Sequence, residues 1–329
     1  MIKTDLDKET KYGFYDRLTE KFPSQVIVDI TEVCNLACIH CPHPEFKKSL
    51  HYGGRYLEQE LNKKLVDEVK KFGQGFTQYI RYSSEGEPLL HPDAYEMIEY
   101  AVSHSGVFVT LTTNGTIMNE KRIQKLLDTG LHMIDISIDA FAPETYTIIR
   151  KGKLDITRAN VLKLIELVKD SKSKTKVVVS YIEQSENYKE TKDFKAFWQD
   201  HGADYVVIRR QHSASGFVNN IANIMRNENS KEDRRPCLYP WERILLTPRG
   251  QLAFCPTDWT NDSAVGDYHS TTIFDTWNGE FYKKLREAHL TNQFSCHQFC
   301  GQCPDWKLTH WPDEGGSYAN MIEEFKEEQ

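Results

Sequence analysis

From residue 25 to about residue 210, short runs rich in Val, Ile, Tyr and Thr alternate with longer segments whose apolar positions recur every three or four residues. The first pattern predicts strands and the second amphipathic helices. Strands are predicted at 25–31, 78–83, 107–112, 133–138, 176–181 and 205–208, with helices at 57–71, 92–103, 119–129, 155–169 and 188–201. Alternation of this kind implies repeated βα units and a parallel sheet, hence an α/β fold. Gly130 and Gly202 stand just past two helices, where a left-handed closing residue is wanted. Chemistry in parallel sheets collects beyond the carboxyl ends of the strands, so the segments after each strand are where function is expected.

The βα rhythm ends in a polar stretch near 219–235. From Pro236 the composition shifts to Cys, Pro, Trp and Tyr, which places a boundary there. The acidic end, EEFKEEQ, reads as a solvated terminus.

A hydrophobic fraction of 39% and a charged fraction of 27% over 329 residues fit a folded globular protein. The net charge of −7 supplies no basic field to gather phosphates, which argues against nucleic acid as a partner. The polar N-terminus lacks a signal-peptide pattern and no run of about 20 apolar residues follows, so no membrane is expected and the location is read as cytoplasmic. Eight cysteines in such a chain are expected to ligate metal or do redox work rather than form disulfides.

Directly after the first strand comes CNLACIHC, with Cys34, Cys38 and Cys41. Three thiolates leave one iron of a cubane cluster without a protein ligand, and that open position can hold a cofactor. A zinc site completed by His40 or His43 is the competing reading. The CxxxCxxC loop after strand one resembles that of the radical S-adenosylmethionine superfamily. The resemblance implies a 4Fe–4S cluster on these cysteines, whose open iron chelates the methionine moiety of S-adenosylmethionine.

SSEGEPLL, residues 83–90, resembles the family's glycine-glycine-glutamate-proline motif, whose backbone meets the methionyl amino group. Gly86, Glu87 and Pro88 match it, and Glu85 replaces the first glycine. TTNGT after strand three, with Asn114, and SIDAF after strand four, with Ser137 and Asp139, followed by Arg150, are similar to segments that contact the ribose or carboxylate. Taken singly, an Asn-Gly pair is commonly a turn and a strand-end Ser or Asp a helix cap.

Cys237, Cys255, Cys296, Cys300 and Cys303 all lie in a segment too short for a large core, which calls for a metal staple. The segment 236–306 resembles SPASM/twitch domains, in which a hairpin and a short helix surround an auxiliary cluster. The resemblance implies a second 4Fe–4S cluster on Cys237, Cys255, Cys300 and Cys303. Cys296 is left as a spare thiol, an alternative ligand, or a hydrogen-atom donor to a substrate radical.

The expected architecture is therefore a partial (β/α)6 parallel barrel with a small cysteine-rich α+β C-terminal domain. Its divisions are an N-terminal extension 1–24, the barrel 25–215, a linker 216–235, the auxiliary domain 236–310 and a tail 311–329. The implied activity is hydrogen abstraction by a 5′-deoxyadenosyl radical, with a flavodoxin- or ferredoxin-type reductant. The expected substrate is a sugar- or aminocyclitol-type carbinol that is oxidised or epimerised, with a ribosomally made peptide as the alternative. Arg209, with Arg210 and His212 beside it, would lie at the barrel mouth and bind or deprotonate the hydroxyl. From another class, a non-catalytic iron–sulfur or zinc protein would leave the motifs after the strands idle. Trp241, Trp259, Tyr268, Trp277 and Trp306 are candidates to stack on a sugar or to pack around the cluster.

Overall fold

The computed structural model describes residues 21–83, 85–229, 234–308 and 318–327. Six parallel strands form where the periodicity places them: β1 Gln25–Val28, β2 Tyr79–Tyr82, β3 Phe108–Thr113, β4 Met133–Ser137, β5 Lys176–Glu183 and β6 Tyr205–Arg210. Between them run α1 His43–Phe46, α2 Gln59–Phe72, α3 Ala94–His104, α4 Glu120–Asp128, α5 Pro143–Arg150, α6 Leu154–Ser171 and α7 Thr191–Asp200. Gly130 and Gly202 both take positive φ, as their positions past α4 and α7 require.

The strands alternate between two interiors. Ile80 and Tyr82, Val109 and Leu111, Ile134 and Ile136, and Val177 and Val179 face the helices in the main core. Their neighbours face the barrel lumen, which is apolar at the amino ends of the strands and charged toward the carboxyl ends. Tyr79, Phe108, Met133 and Val178 form the apolar floor.

The cysteine-rich part is joined to the barrel more closely than a separate domain would be. After α8 Asn219–Asn229 and α9 Tyr239–Glu242 come β7 Arg243–Leu246, β8 Gln251–Ala253 and β9 Ala264–Asp267. Strand β7 pairs parallel with β1, and β8 and β9 follow antiparallel, giving one sheet in the order β6-β5-β4-β3-β2-β1-β7-β8-β9. Helices α10 Ile273–Asn278, α11 Glu280–Thr291 and α12 Gln298–Gln302 complete this part.

Two expectations change. Within the expected linker the chain forms α8. The expected solvated tail instead contains α13 Tyr318–Glu327, which sends Met321, Ile322 and Phe325 against the lumen floor. Those three side chains recur at helical spacing, Met321 and Ile322 just before the acidic run and Phe325 within it, so one face of the helix is buried. No described helix is long and apolar enough to cross a membrane.

Candidate active site

The loop carrying Cys34, Cys38 and Cys41 leaves β1 and is tied down by the exits of the next four strands in turn. After β2, Glu87 N donates to Val33 O at 2.9 Å. After β3, Asn114 Nδ2 donates to Asn35 Oδ1 at 2.9 Å, and Asn35 Nδ2 donates to Thr116 Oγ1 at 2.8 Å. After β4, Ile39 N donates to Ile149 O at the end of α5, and Arg150 Nη1 stands 3.6 Å from Cys38 Sγ. After β5, Gln184 Nε2 lies 3.4 Å from His40 Nδ1.

Gly86 cannot carry a side chain: a Cβ there would fall 2.2 Å from Thr31 O and 2.6 Å from Val33 O, both backbone atoms. Glu87 is buried and saturated. Its carboxylate accepts from Thr113 Oγ1 at 2.6 Å, Asn114 N at 2.7 Å and Leu89 N at 3.2 Å, clamping the exits of β2 and β3 together. Burial pushes its pKa up and these hydrogen bonds oppose the rise. Pro88 opens the short 3-10 turn that follows and is buried.

Asp139 is buried with φ of 63°, a left-handed conformation that a non-glycine residue holds only when its surroundings fix it. They do. Its Oδ1 accepts from Ile182 N at 2.7 Å, its carbonyl accepts from Asn187 Nδ2 at 2.8 Å, and its Oδ2 pairs with Arg150 Nη2 at 2.6 Å. His40 Nε2 lies 3.5 Å from the same Oδ2. Ser137, half-buried at the end of β4, is in register with Ser180.

The two histidines that a zinc site would need are engaged elsewhere. His43 Nε2 lies 2.8 Å from Glu32 O, a carbonyl that can only accept, so this nitrogen carries the proton. His40 faces Asp139 and Gln184, and burial lowers its pKa to about 4. Burial raises Cys34 to about 11 and Cys41 to about 12, and raises Cys38 against the pull of Arg150. Three thiols on one loop, one buried and two half-buried, each costly to ionise alone, suit a metal cluster whose charge stabilises thiolates.

Beyond the apolar floor the lumen wall turns polar. Asp135 of β4 is fully buried, accepts from Ser180 Oγ, pairs with Arg209 Nη2 at 2.7 Å and faces Arg81 Nη2 at 3.8 Å. Arg81 also donates to Thr112 Oγ1 from Nε at 3.1 Å and from Nη2 at 2.9 Å. Arg209 therefore does line the barrel, whereas Arg210, next along the strand, is exposed. The sequence reading missed Arg81 and Asp135. Their signal was a charge inside an otherwise apolar parallel strand, where both faces are covered.

Strand β6 leads straight to the second thiol group. Ala214 and Ser215, with φ of 52° and 58°, form a tight turn held by Asp305, whose carboxylate accepts from Ser213 N, Ser213 Oγ and Ser215 N at 2.7–2.9 Å. Ser215 Oγ then lies 3.5 Å from Cys255 Sγ. His212 Nδ1 accepts from Ala214 N at 3.0 Å, which leaves Nε2 as its protonated nitrogen.

Cys237, Cys255, Cys300 and Cys303 lie close enough to raise one another's pKa beyond the larger effect of burial, Cys303 to about 12. Four thiols gathered in this way, two buried and two half-buried, suit a four-thiolate cluster. Cys296 is exposed, beside Ser295, and is not brought into this group. The aromatic residues Trp241, Trp259, Tyr268, Trp277 and Trp306 are all buried, so they pack rather than offer a stacking face.

Residues 28–197 match the model of the radical SAM superfamily. The chain belongs to that superfamily. Residues 237–304 of this radical SAM enzyme match the SPASM iron–sulfur cluster-binding domain. The two domains carry 4Fe–4S clusters, one that binds S-adenosylmethionine and one auxiliary. Among its relatives is the probable GTP 3′,8-cyclase of Methanocaldococcus jannaschii, 31% identical over 63% of this chain and 66% of that protein. The radical SAM chain thus spans just under two thirds of that relative. In fold it is similar to BtrN, solved in complex with AdoMet and 2-DOIA, with a TM-score of 0.58 and 18% identity over 91% of this chain and 98% of that one. It is also similar to Streptococcus suis SuiB bound to its precursor peptide SuiA, with a TM-score of 0.64 and 15% identity over 92% of this chain and 73% of that one.

Proposed function

We propose that Cys34, Cys38 and Cys41 ligate the S-adenosylmethionine-binding cluster, that Cys237, Cys255, Cys300 and Cys303 ligate the auxiliary cluster, and that the enzyme dehydrogenates a small polar carbinol of the sugar or aminocyclitol type. When bound, the clusters supply reductive cleavage of S-adenosylmethionine and a sink for one substrate electron. A flavodoxin- or ferredoxin-type protein would deliver the reducing electron. Gly86, Glu87, Pro88, Asn114, Ser137 and Asp139, at strand exits, and Arg150, at the end of α5, would position the S-adenosylmethionine or the loop that holds it.

The observation that carries this reading is the path of β6. Six residues take the chain from Arg209, in the polar lumen wall, to Ser215 at the Cys255 sulfur. A hydroxyl held by the lumen's polar side chains would therefore sit between the two thiol groups. Arg209 would hold the hydroxyl oxygen and favour loss of its proton. Oxidation is favoured over epimerisation because Cys296, the candidate hydrogen donor, is exposed to solvent. The small-molecule reading also accords with the complex of BtrN with 2-DOIA, and the peptide reading with SuiB bound to SuiA.

The deciding experiment uses anaerobically reconstituted protein in D2O with dithionite and a panel of aminocyclitols, sugars and peptides. Dehydrogenation yields a hydrazine-trappable carbonyl in step with 5′-deoxyadenosine and no carbon-bound solvent deuterium. Deuterium at an inverted carbon, lost in Cys296→Ala, would establish epimerisation instead. Turnover of peptides alone would move the substrate class to the alternative.

A further inference from the structure

Arg249 lies in the turn between β7 and β8, yet it reaches three barrel segments far away in sequence. Its Nη2 meets Glu32 Oε1 at 2.9 Å. Its Nη1 and Nη2 each stand 3.5 Å from a Glu85 carboxylate oxygen. Nη2 also donates to His51 O at 3.3 Å, and the guanidinium rests over the ring of Phe46 in α1.

Both acids sit where movement would reach the cysteine loop. Glu32 precedes Cys34 by two residues, and its carboxylate also accepts from Gly53 N at 2.7 Å, Arg55 N at 3.1 Å and Arg55 Nη1 at 2.9 Å. Glu85 directly precedes the Gly86–Glu87 backbone that is pressed against Thr31 and Val33. Its own N–H donates to Asp29 Oδ2 at 3.0 Å. Glu32 and Glu85 are both buried, so their carboxylates need fixed partners when ionised, and removing one partner of a buried pair is costly. A guanidinium fork can serve two carboxylates at once, which an ammonium group cannot do in the same geometry.

We propose that Arg249 is a positioning residue through which the C-terminal part of the chain holds the approach to Cys34 and the loop after β2 in one register, and so sets the affinity for S-adenosylmethionine. The proposal rests on Cys34, Cys38 and Cys41 holding the cleaving cluster and not on the identity of the substrate. It also gives Glu85 a role: at this position the side chain anchors the loop after β2 to Arg249.

The test measures 5′-deoxyadenosine formation against S-adenosylmethionine concentration in reconstituted full-length protein. Arg249→Ala is expected to raise KM for S-adenosylmethionine roughly tenfold, the usual scale for groups that orient metal ligands, with kcat changed far less. The spectral change of the reduced cluster on adding S-adenosylmethionine should shift to higher concentration in parallel. Adding Glu85→Gln to that variant should recover much of the loss, because the stranded carboxylate is gone. Arg249 lines an open groove of about 850 Å³ with Arg55, Gly250 and His269, so guanidine at millimolar concentration should reach the vacated position and lower KM again.

An unchanged KM in Arg249→Ala, or strictly additive effects of the two substitutions, overturns the proposal. Should Arg249→Ala fail to fold, Arg249→Lys decides, since it keeps the charge but loses the fork: an intermediate KM supports the role and a native KM removes it. Cys34→Ala is run alongside. Cleavage surviving there would overturn the ligand assignment and the proposal with it, whereas cleavage lost there with KM native in Arg249→Ala removes this proposal alone.

Discussion

Asp139 and Arg150 meet at 2.6 Å, both buried, and the same guanidinium stands 3.6 Å from the sulfur of Cys38. The pair joins the exit of β4 to the end of α5 and brings both to the cysteine loop. Asp139 holds its left-handed backbone inside this arrangement, so the conformation and the ion pair support each other.

Arg150→Ala strands the Asp139 carboxylate and should destabilise the fold by about 3–5 kcal/mol. It also removes the positive charge that favours the Cys38 thiolate, so iron per reconstituted chain should fall from about eight toward four. Denaturant unfolding and iron analysis check the two effects separately. Adding Asp139→Asn should restore part of the stability without restoring the iron.

Gly86→Ala puts a methyl group 2.2 Å from Thr31 O, a contact only backbone movement can relieve. The displaced strand is the one that enters the cysteine loop. A stability loss of about 1–3 kcal/mol is expected. Formation of 5′-deoxyadenosine should fall at least roughly tenfold, since the shift reaches groups that orient the cysteines proposed to ligate the cluster. Wild-type cleavage in this variant would show that the close approach has no functional consequence.

Glu85 gives a pH signature. Burial raises its pKa from 4.5 to about 7, with Arg249 opposing the shift. Between those values the folded chain holds a proton that the unfolded chain has released, so this group's contribution to stability falls as pH rises through the window. Glu85→Gln carries no titrating proton and should flatten that slope. Its stability relative to the parent should therefore improve from pH 5 to pH 8. Thermal unfolding across this range measures it, and parallel profiles for the two proteins would contradict the assignment.

Phe325 of α13 packs beneath the barrel with Met321 and Ile322. Phe325→Ala should cost roughly 3–5 kcal/mol by opening a cavity under the lumen floor. Phe281, partly exposed on α11, is the comparison, and its replacement by Ala should cost far less. Equal effects on the unfolding midpoint would place α13 outside the folded core.

The parallel barrel was legible because its evidence is local. Strand and helix periods are written in consecutive residues, and a CxxxCxxC spacing survives in the sequence because one loop must carry all three thiols. The same is true of Gly130 and Gly202, whose turns need only their own backbone freedom. The three cysteines of the loop after β1, with Gly86, Glu87 and Asp139, could thus be singled out before any fold was known.

What tertiary structure decided are relations between distant residues. Nothing local in Arg249 indicates that it clasps Glu32 and Glu85, and nothing in EEFKEEQ alone indicates a helix face that seals a barrel. Strand β7 could not be placed on β1 from its four residues, because parallel pairing is fixed by the chain between, not by the strand itself. Sequence determines the period and the ligand spacing. Only the closed fold determines which buried charges meet, because each such pair forms where packing has already removed the water that would otherwise solvate it.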